Sequence, residues 1–174
     1  MKRFLGIALI ALMAIFSGKN VLAQNFKFAH INKSVLIQAM PEYDSATVKL
    51  QKTQKELSNA LEIMQVELNN KYEAYNKDAK NLTDVVKQVK EQELNDMQKR
   101  IQESNTNFQI KLSDLQTSLI QPIVAKAEKA IQDIGREGGY VYVFDVSLGS
   151  QVLYFDETKS TNLMPQVKTK LGLK

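Results

Sequence analysis

The central stretch of the chain, residues 44–134, reads DSATVKLQKTQKELSNALEIMQVELNNKYEAYNKDAKNLTDVVKQVKEQELNDMQKRIQESNTNFQIKLSDLQTSLIQPIVAKAEKAIQDI, with one proline and no glycine. Apolar side chains recur in it at alternating steps of three and four residues, with gaps such as those near Gln54 and Lys71, which is the spacing of a coiled-coil seam. The first run comprises Leu50, Leu57, Leu61, Met64, Leu68, Tyr75 and Leu82. The second run comprises Val86, Met97, Ile101, Phe108, Leu115 and Leu119.

The two runs mirror each other about a point between Leu82 and Thr83, so that Leu57 and Phe108, for example, are equally far from it. Around that point the sequence is Asn-Leu-Thr-Asp, and the side chain of Thr83 or Asn81 can accept a bond from the free amides of a new helix. We therefore predict two long helices packed antiparallel as a coiled-coil hairpin, here called the arm (residues 44–122). At about 1.5 Å per residue the arm is on the order of 55 Å long.

The two ends of the sequence, residues 24–43 and 123–174, are predicted to form one small body at the base of the arm. Phe26–Ile31 alternates loosely and predicts a strand. Asn32 can cap a short helix, which the pair Met40-Pro41 should end because a residue before proline disfavours helical backbone angles. Pro41 is then suited to the first turn of the next helix.

Proline and glycine divide the second half of the chain. Pro122 removes one backbone amide, which predicts a kink or break between arm and body, and Gly138-Gly139 should end the helix. Tyr140–Asp145 and Gln151–Phe155 are rich in aromatic and β-branched residues and predict a β-hairpin. Asn162–Leu171 predicts a final helix with Thr161 or Asn162 as its cap. The predicted fold is one α+β domain over residues 24–174.

Three short strands and a short helix make a thin core with exposed sheet edges. Because the arm contributes no globular core of its own, we expect the sheet to be completed by other copies of the chain. The candidate interface residues are Phe28, Ile31, Tyr140, Tyr142, Phe144 and Leu153.

The first 23 residues have the parts of a secretory signal peptide. Lys2-Arg3 precedes an apolar run from Phe4 to Phe16, and Val21-Leu22-Ala23 precedes Gln24. This run of about 13 residues is shorter than the ~20 that a membrane-spanning helix needs. We therefore predict export and cleavage after Ala23, with a retained membrane anchor as the alternative. Lipid attachment at this site is excluded, because the chain has no cysteine.

Composition excludes several classes of function. Without cysteine the chain has no disulfide, no thiol nucleophile and no thiolate metal site. The formal net charge is +4, but residues 44–134 hold thirteen Lys and Arg against fourteen Asp and Glu. The arm is therefore close to neutral, which disfavours a nucleic-acid-binding surface.

Catalytic motifs are absent from the sequence. His30 is the only histidine, and we expect it to be a partly exposed strand residue. Carboxylate pairs such as Glu91 with Glu93 arise by chance on a highly charged helix, and there is no phosphate-binding glycine loop, HExxH or GxSxG. We predict that the protein is not an enzyme and has no catalytic residues, metal site or cofactor.

Apolar residues of the arm are the candidates for binding. Tyr72 and Val85 fall outside the seam and should face solvent, which suggests adhesive contact. The candidate binding residues are Met64, Tyr72, Tyr75, Val85, Val86 and Met97. The alternative is that these residues broaden the seam or are ordinary surface apolar residues.

Short motifs at both ends accompany this order of elements. They are Phe28-Ala29-His30-Ile31-Asn32, Ser34-Val35-Leu36, Met40-Pro41-Glu42-Tyr43, Ala130-Ile131 leading to Gly139-Tyr140, and the segment Asn162–Leu171. With them the chain resembles the Skp/OmpH family of periplasmic chaperones over essentially its whole length after Ala23. The arm adds little to this resemblance, because many coiled coils share its pattern.

The resemblance implies a homotrimer in which three small β-sheets form a barrel-like body and three arms surround a cavity. Members of the family hold unfolded outer-membrane proteins there, without ATP, until the outer-membrane assembly machinery takes them. The resemblance therefore implies a periplasmic location, with unfolded outer-membrane proteins and the outer-membrane assembly machinery as partners. The near-neutral arm predicts no nucleic-acid partner, and the short apolar run predicts no stable membrane insertion.

Two features depart from the family's pattern. Family arms are often strongly basic, whereas this arm is near neutral, so electrostatic steering of clients should be weaker. Asn162-Leu163-Met164-Pro165 stands where many members have an Asp-hydrophobic-Thr cap, although asparagine can also cap a helix. A structural or adaptor protein of the cell envelope, with the arm as a spacer, is the alternative function.

Overall fold

The computed structural model describes residues 26–174, so the predicted signal peptide, residues 1–23, lies outside the described residues. The elements in chain order are β1 (Lys27–Ile31), α1 (Lys33–Gln38), α2 (Pro41–Asp78), a 3-10 turn (Ala79–Asn81), α3 (Asp84–Glu137), β2 (Tyr140–Asp145), β3 (Ser160–Asn162) and α4 (Met164–Lys170). Long helices and a small sheet agree with the predicted α+β class.

The long helices α2 and α3 lie side by side. Near the turn between them, the hydroxyl of Tyr75 donates a hydrogen bond to the carboxylate of Glu91. At the other end, Lys126 forms an ion pair with Glu42. The start of α2 therefore lies beside the C-terminal half of α3.

Two of the three predicted side-chain caps form, whereas the final helix has Leu163 at its N-cap without a side-chain cap, so the predicted cap at Thr161 or Asn162 is wrong. Asn32 accepts a hydrogen bond from the amide of Val35 at 3.0 Å and caps α1. Thr83 accepts one from the amide of Val86 and caps α3. α2 begins at Pro41, and α3 ends before Gly138, so the predicted start and stop positions of these helices are confirmed.

The seam of the arm is only partly shielded from water within one chain. Its half-buried members are Leu50, Leu57, Leu61, Met64, Leu68, Tyr75 and Leu82 in or after α2, and Ile101, Phe108, Leu115 and Leu119 in α3. Met97 is buried, with 6% of its surface exposed. A pair of helices buries one narrow stripe, so the arm stores little stability of its own.

Pro122 does not break α3. The helix runs without interruption from Asp84 to Glu137 with Pro122 inside it, so of the predicted kink or break the break is wrong. Beyond the proline, Ile123, Ala127 and Ala130 are buried on one face. The burial of these side chains outweighs the loss of one backbone hydrogen bond, so the helix continues past Pro122.

The sheet is not the predicted β-hairpin. Its order is β2-β1-β3 and both neighbours run parallel to β1. Residues 151–155 form no strand, whereas the polar segment Ser160–Asn162 does. The hairpin prediction is wrong because β1 takes the place beside β2, which brings Ala29 and Ile31 of β1 into the core.

Asp145 fixes the direction in which the chain leaves β2. Its carboxylate accepts hydrogen bonds from the amides of Lys33 and Ser147, at 3.2 and 2.9 Å. Gly149, at a φ of +84°, then completes a turn in the left-handed region that favours glycine. The chain continues to the far side of β1 and does not return antiparallel along β2.

The hydrophobic core lies in the body and is built from both ends of the chain. Its buried members are Ala29, Ile31, Leu36, Met40, Ala46, Ile123, Ala127, Ala130, Leu163 and Val167. Gly135 allows α3 to approach β2 closely, because a Cβ at this position would lie 3.1 Å from Cγ2 of Val143. The body thus joins the sheet, α1, α4 and the end of α3 in one packed unit.

Truncating Leu36 to alanine is expected to lower the free energy of unfolding by about 2–5 kcal/mol, because its side chain is fully buried and the substitution leaves a cavity. Urea denaturation at one fixed protein concentration measures this, since stability can depend on association. Val35→Ala is the matched control: Val35 is 51% exposed, and its loss should cost about 0.5 kcal/mol. Equal effects of the two substitutions would contradict the assignment of Leu36 to the core.

Candidate functional site

The helices cover one face of the sheet, and the other face is open at Phe28, Tyr142 and Phe144 but covered at His30 by Phe155. Ala29 and Ile31 point into the core and are buried. Phe28, Tyr142 and Phe144 are exposed, Tyr142 to 60%. Because side chains alternate along a strand, Phe28 lies on the face opposite Ala29. An α+β body with an uncovered aromatic face is unusual for an isolated chain.

Phe28, Tyr142 and Phe144 form a connected patch, here called the aromatic patch. The ring of Phe28 lies 6.4 Å from the rings of both Tyr142 and Phe144, and those two rings are 5.9 Å apart. These centroid distances lie within the range of favourable aromatic contacts. The three side chains therefore support one another on two rigid strands, which suits them to contact another protein surface.

The connection from β2 to β3 adds further apolar side chains. Leu148, Leu153 and Tyr154 are exposed, Leu153 fully. Phe155 turns inward, and its ring lies 4.5 Å from the ring of His30. The Nδ1 atom of His30 is 2.9 Å from Oγ of Ser160. His30 is thus buried, which differs from the expectation that it would be partly exposed.

The candidate interface residues differ in how far the structure exposes them. Phe28, Tyr142, Phe144 and Leu153 are exposed, and Tyr140 is half-buried. Ile31 is 2% exposed and belongs to the core of the single chain, so its predicted place at an interface is not supported by its position. Sequence reasoning missed Leu148 and Tyr154. Both lie in or beside the segment predicted as a hairpin, where an alternating pattern conceals their exposure.

The candidate binding residues of the arm fall into two groups. Tyr72, Val85 and Val86 are exposed, Tyr72 to 56% and Val85 to 72%. Met64 and Tyr75 are half-buried and Met97 is buried, all three in the seam. Seam residues can reach a ligand only where the two helices separate. The first group is therefore the one that the arm presents at its surface.

Tyr75 is held in place by its polar end. Its hydroxyl donates a hydrogen bond of 2.5 Å to Oε1 of Glu91. This bond stabilises the neutral phenol and raises the pKa of Tyr75. Tyr75 therefore links α2 to α3 near the tip of the arm.

Further exposed apolar residues lie along the arm outside the predicted candidates. They are Val48, Ile63, Val66, Val89 and Ile110. The signal that could have found them is the one that identified Tyr72 and Val85, since all of them fall outside the seam. Together they place isolated exposed apolar side chains among charged and amide side chains along the arm.

A polar cluster ties β2 to α1 and α3 in the body. Lys33 lies 3.1 Å from Oε1 of Glu128 and 3.9 Å from Oδ2 of Asp145. Partial burial by itself raises the pKa of Asp145. The hydrogen bonds from the hydroxyl and amide of Ser147 and the amide of Lys33, with the charge of Lys33, outweigh burial and lower it.

Acid is expected to weaken the body partly through Asp145. Because its pKa in the folded chain lies below the ordinary value of 3.8, its carboxylate contributes stability fully at pH above that value. The contribution is lost as the pH falls through the folded-state pKa. Asp145→Asn should therefore flatten the decrease in unfolding free energy between about pH 5 and pH 3. The exposed Asp114→Asn serves as the control, and equal slopes for both variants would contradict this role.

Neither a metal site nor a membrane span is visible in the part of the chain that the structure describes. Within residues 26–174, no three His, Asp or Glu side chains are grouped so that they could hold a metal ion. In the same range, no helix combines the length and hydropathy needed to cross a bilayer.

Comparison with known proteins identifies one family. Residues 27–171 match the family described as "Outer membrane protein (OmpH-like)". No curated protein matches the chain. The matched range begins at the first residue of β1 and extends past the end of α4, so it covers every helix and strand described above.

Proposed function

Because the chain belongs to the OmpH-like family, we propose that it is a periplasmic chaperone that binds unfolded outer-membrane proteins and prevents their aggregation without ATP. The observation that carries this proposal is the family match over residues 27–171, which includes the arm and both parts of the body. The proposed export signal, residues 1–23, would be removed after Ala23.

The aromatic patch supports a second part of the proposal, that three copies assemble through their bodies. The sheet has two edge strands, β2 and β3, whose outer backbone groups can pair with a neighbouring chain. Covering Tyr142, Phe144 and Leu153 in an interface removes large apolar side chains from water. A trimer joined at the bodies would leave three arms projecting around a cavity.

The arm suits a holding function because its contacts are weak and numerous. Tyr72, Val85 and Val86 offer apolar area without a shaped pocket. A tight site would retain a client, whereas scattered apolar points let it slide and be released. The near-neutral charge of residues 44–134 implies that this binding depends little on salt.

Aggregation of denatured outer-membrane β-barrels tests the proposed function. Several barrels of unrelated sequence are diluted from urea into buffer with a few-fold excess of trimer, and light scattering is recorded. We expect scattering to be suppressed for all of them, without ATP. If no barrel is kept soluble, the chaperone proposal is wrong. Binding of a single folded envelope protein, and of no unfolded barrel, would instead favour the adaptor alternative.

A further inference from the structure

The outer face of α3 carries side-chain amides at regular intervals of seven residues. The five amides are Gln88, Asn95, Gln102, Gln109 and Gln116, and all are exposed. The seam of the arm follows the same seven-residue repeat, so the row keeps one orientation relative to α2 along the arm. The five residues are here called the amide row.

Towards the body, the surface beside the amide row carries little charge. The exposed residues three or four positions from a member of the row are Asp84, Val85, Glu91, Gln92, Gln98, Lys99, Asn105, Thr106 and Ser113. Asp84, Glu91 and Lys99 are charged, and beyond Lys99 the exposed neighbours of the row at this distance are uncharged.

We infer that the amide row binds the main chain of unfolded polypeptide, whatever the side chains of the client. This inference rests on the proposed chaperone function and adds to it a mode of recognition. A carboxamide offers two N–H donors and a carbonyl acceptor, which complement the C=O and N–H groups of a peptide bond. Both partners are neutral, so forming the contact does not require an ion to lose its water.

The spacing of the row matches the repeat of an unfolded chain. Seven residues of α-helix rise about 10.5 Å. Three residues span about 9 Å in the polyproline II conformation and about 10 Å in a fully extended chain. In polyproline II, peptide groups three residues apart point in the same direction. Each amide of the row can therefore meet a peptide group of the client at every third residue.

The small mismatch between these repeats limits how many amides bind at once. A difference of about 1 Å per step accumulates along the row, and flexible glutamine side chains can absorb only part of it. Each hydrogen bond contributes about 0.5–1.5 kcal/mol net. We therefore expect only two or three amides of the row to bind the client main chain at one time, and these can change as the client moves.

The test uses the exported chain and a labelled twelve-residue peptide from a barrel strand, with binding followed by fluorescence anisotropy. The variant carries Asn95→Ala, Gln102→Ala and Gln109→Ala. The matched control removes three exposed amides of α2 by Gln51→Ala, Asn59→Ala and Asn76→Ala. Alanine at exposed helix positions preserves the helix in both. We expect the variant to raise Kd on the order of tenfold, and the control to bind like the original chain.

A second peptide, N-methylated at every third residue, isolates the main-chain contribution. We expect N-methylation to weaken binding to the original chain and to have little further effect on the variant, because its partner amides are already absent. Equal Kd values for the variant and the original chain, or equal losses from N-methylation in both, would overturn the inference while leaving the chaperone function intact. If the original chain neither binds the peptide nor suppresses aggregation, the proposed function falls as well.

Discussion

Replacing Tyr142 and Phe144 together by serine is expected to turn the assembled protein into monomers while its helices remain folded. The two rings are exposed to 60% and 39% in the single chain. Since an aromatic side chain offers about 150–250 Å² of area, the substitution removes roughly 200 Å² per subunit of apolar surface that the interface would bury. At about 25 cal/mol per Å², this corresponds to about 5 kcal/mol per subunit. A loss of that size dissociates most oligomers at micromolar concentration.

Light scattering at several protein concentrations measures the mass, and far-UV circular dichroism monitors the helices. The control pair, Val66→Ser and Tyr72→Ser, removes similarly exposed side chains from the arm. That control should leave the mass unchanged. An unchanged mass for the Tyr142 and Phe144 variant would show that the aromatic patch does not hold the subunits together.

Changing Tyr72, Val85 and Val86 together to serine is expected to abolish most client holding without affecting assembly. These are the predicted binding residues that the arm exposes near its tip. Each contributes a modest apolar area, but in the proposed trimer three arms would act on one client, so we expect the Kd for an unfolded barrel to rise at least about tenfold. Barrel binding by anisotropy and mass by light scattering are recorded on the same sample.

The matched control changes charged residues at the same tip, Lys77→Ser, Asp78→Ser and Lys80→Ser, all of them exposed. If apolar contact holds the client, this control should bind nearly as well as the original chain at physiological salt. If the variant at Tyr72, Val85 and Val86 still holds the client, these residues serve the packing of the arm and do not bind the client.

The helices could be predicted from the sequence because their determinants are local. The seam from Leu50 to Leu82 could be recognised because residues spaced three and four apart lie on one face of any helix. Thr83 and Asn32 cap helices through bonds to amides three residues away. Pro41 was placed correctly for the same reason, since its ring acts on neighbouring backbone only.

The sheet could not be predicted, because its pairing is decided between distant residues. Tyr140–Asp145 and Gln151–Phe155 have the same composition signal, yet only the first forms a strand. Contacts of Asp145 with Lys33, more than 100 residues earlier, turn the chain away from a hairpin. Ser160–Asn162 has no strand pattern and pairs with β1, directly before the buried Leu163.

The binding candidates were partly predictable. The exposure of Tyr72 and Val85 could be predicted because both residues fall outside the seam repeat. The same repeat could not tell whether Met97 faces water, because two-helix seams shield their members unequally, and Met97 is buried. Ile31 was predicted at an interface because it is a large apolar strand residue, but it lies in the core of the single chain. Strand alternation alone did not show which face the helices would cover.

Native mass spectrometry of the exported chain, with and without an unfolded outer-membrane β-barrel, tests whether three chains assemble and together hold one client. We expect a mass of three chains for the protein alone, and of three chains plus one barrel after mixing. A mass of one chain under both conditions, or a trimer that never gains a barrel, would contradict it.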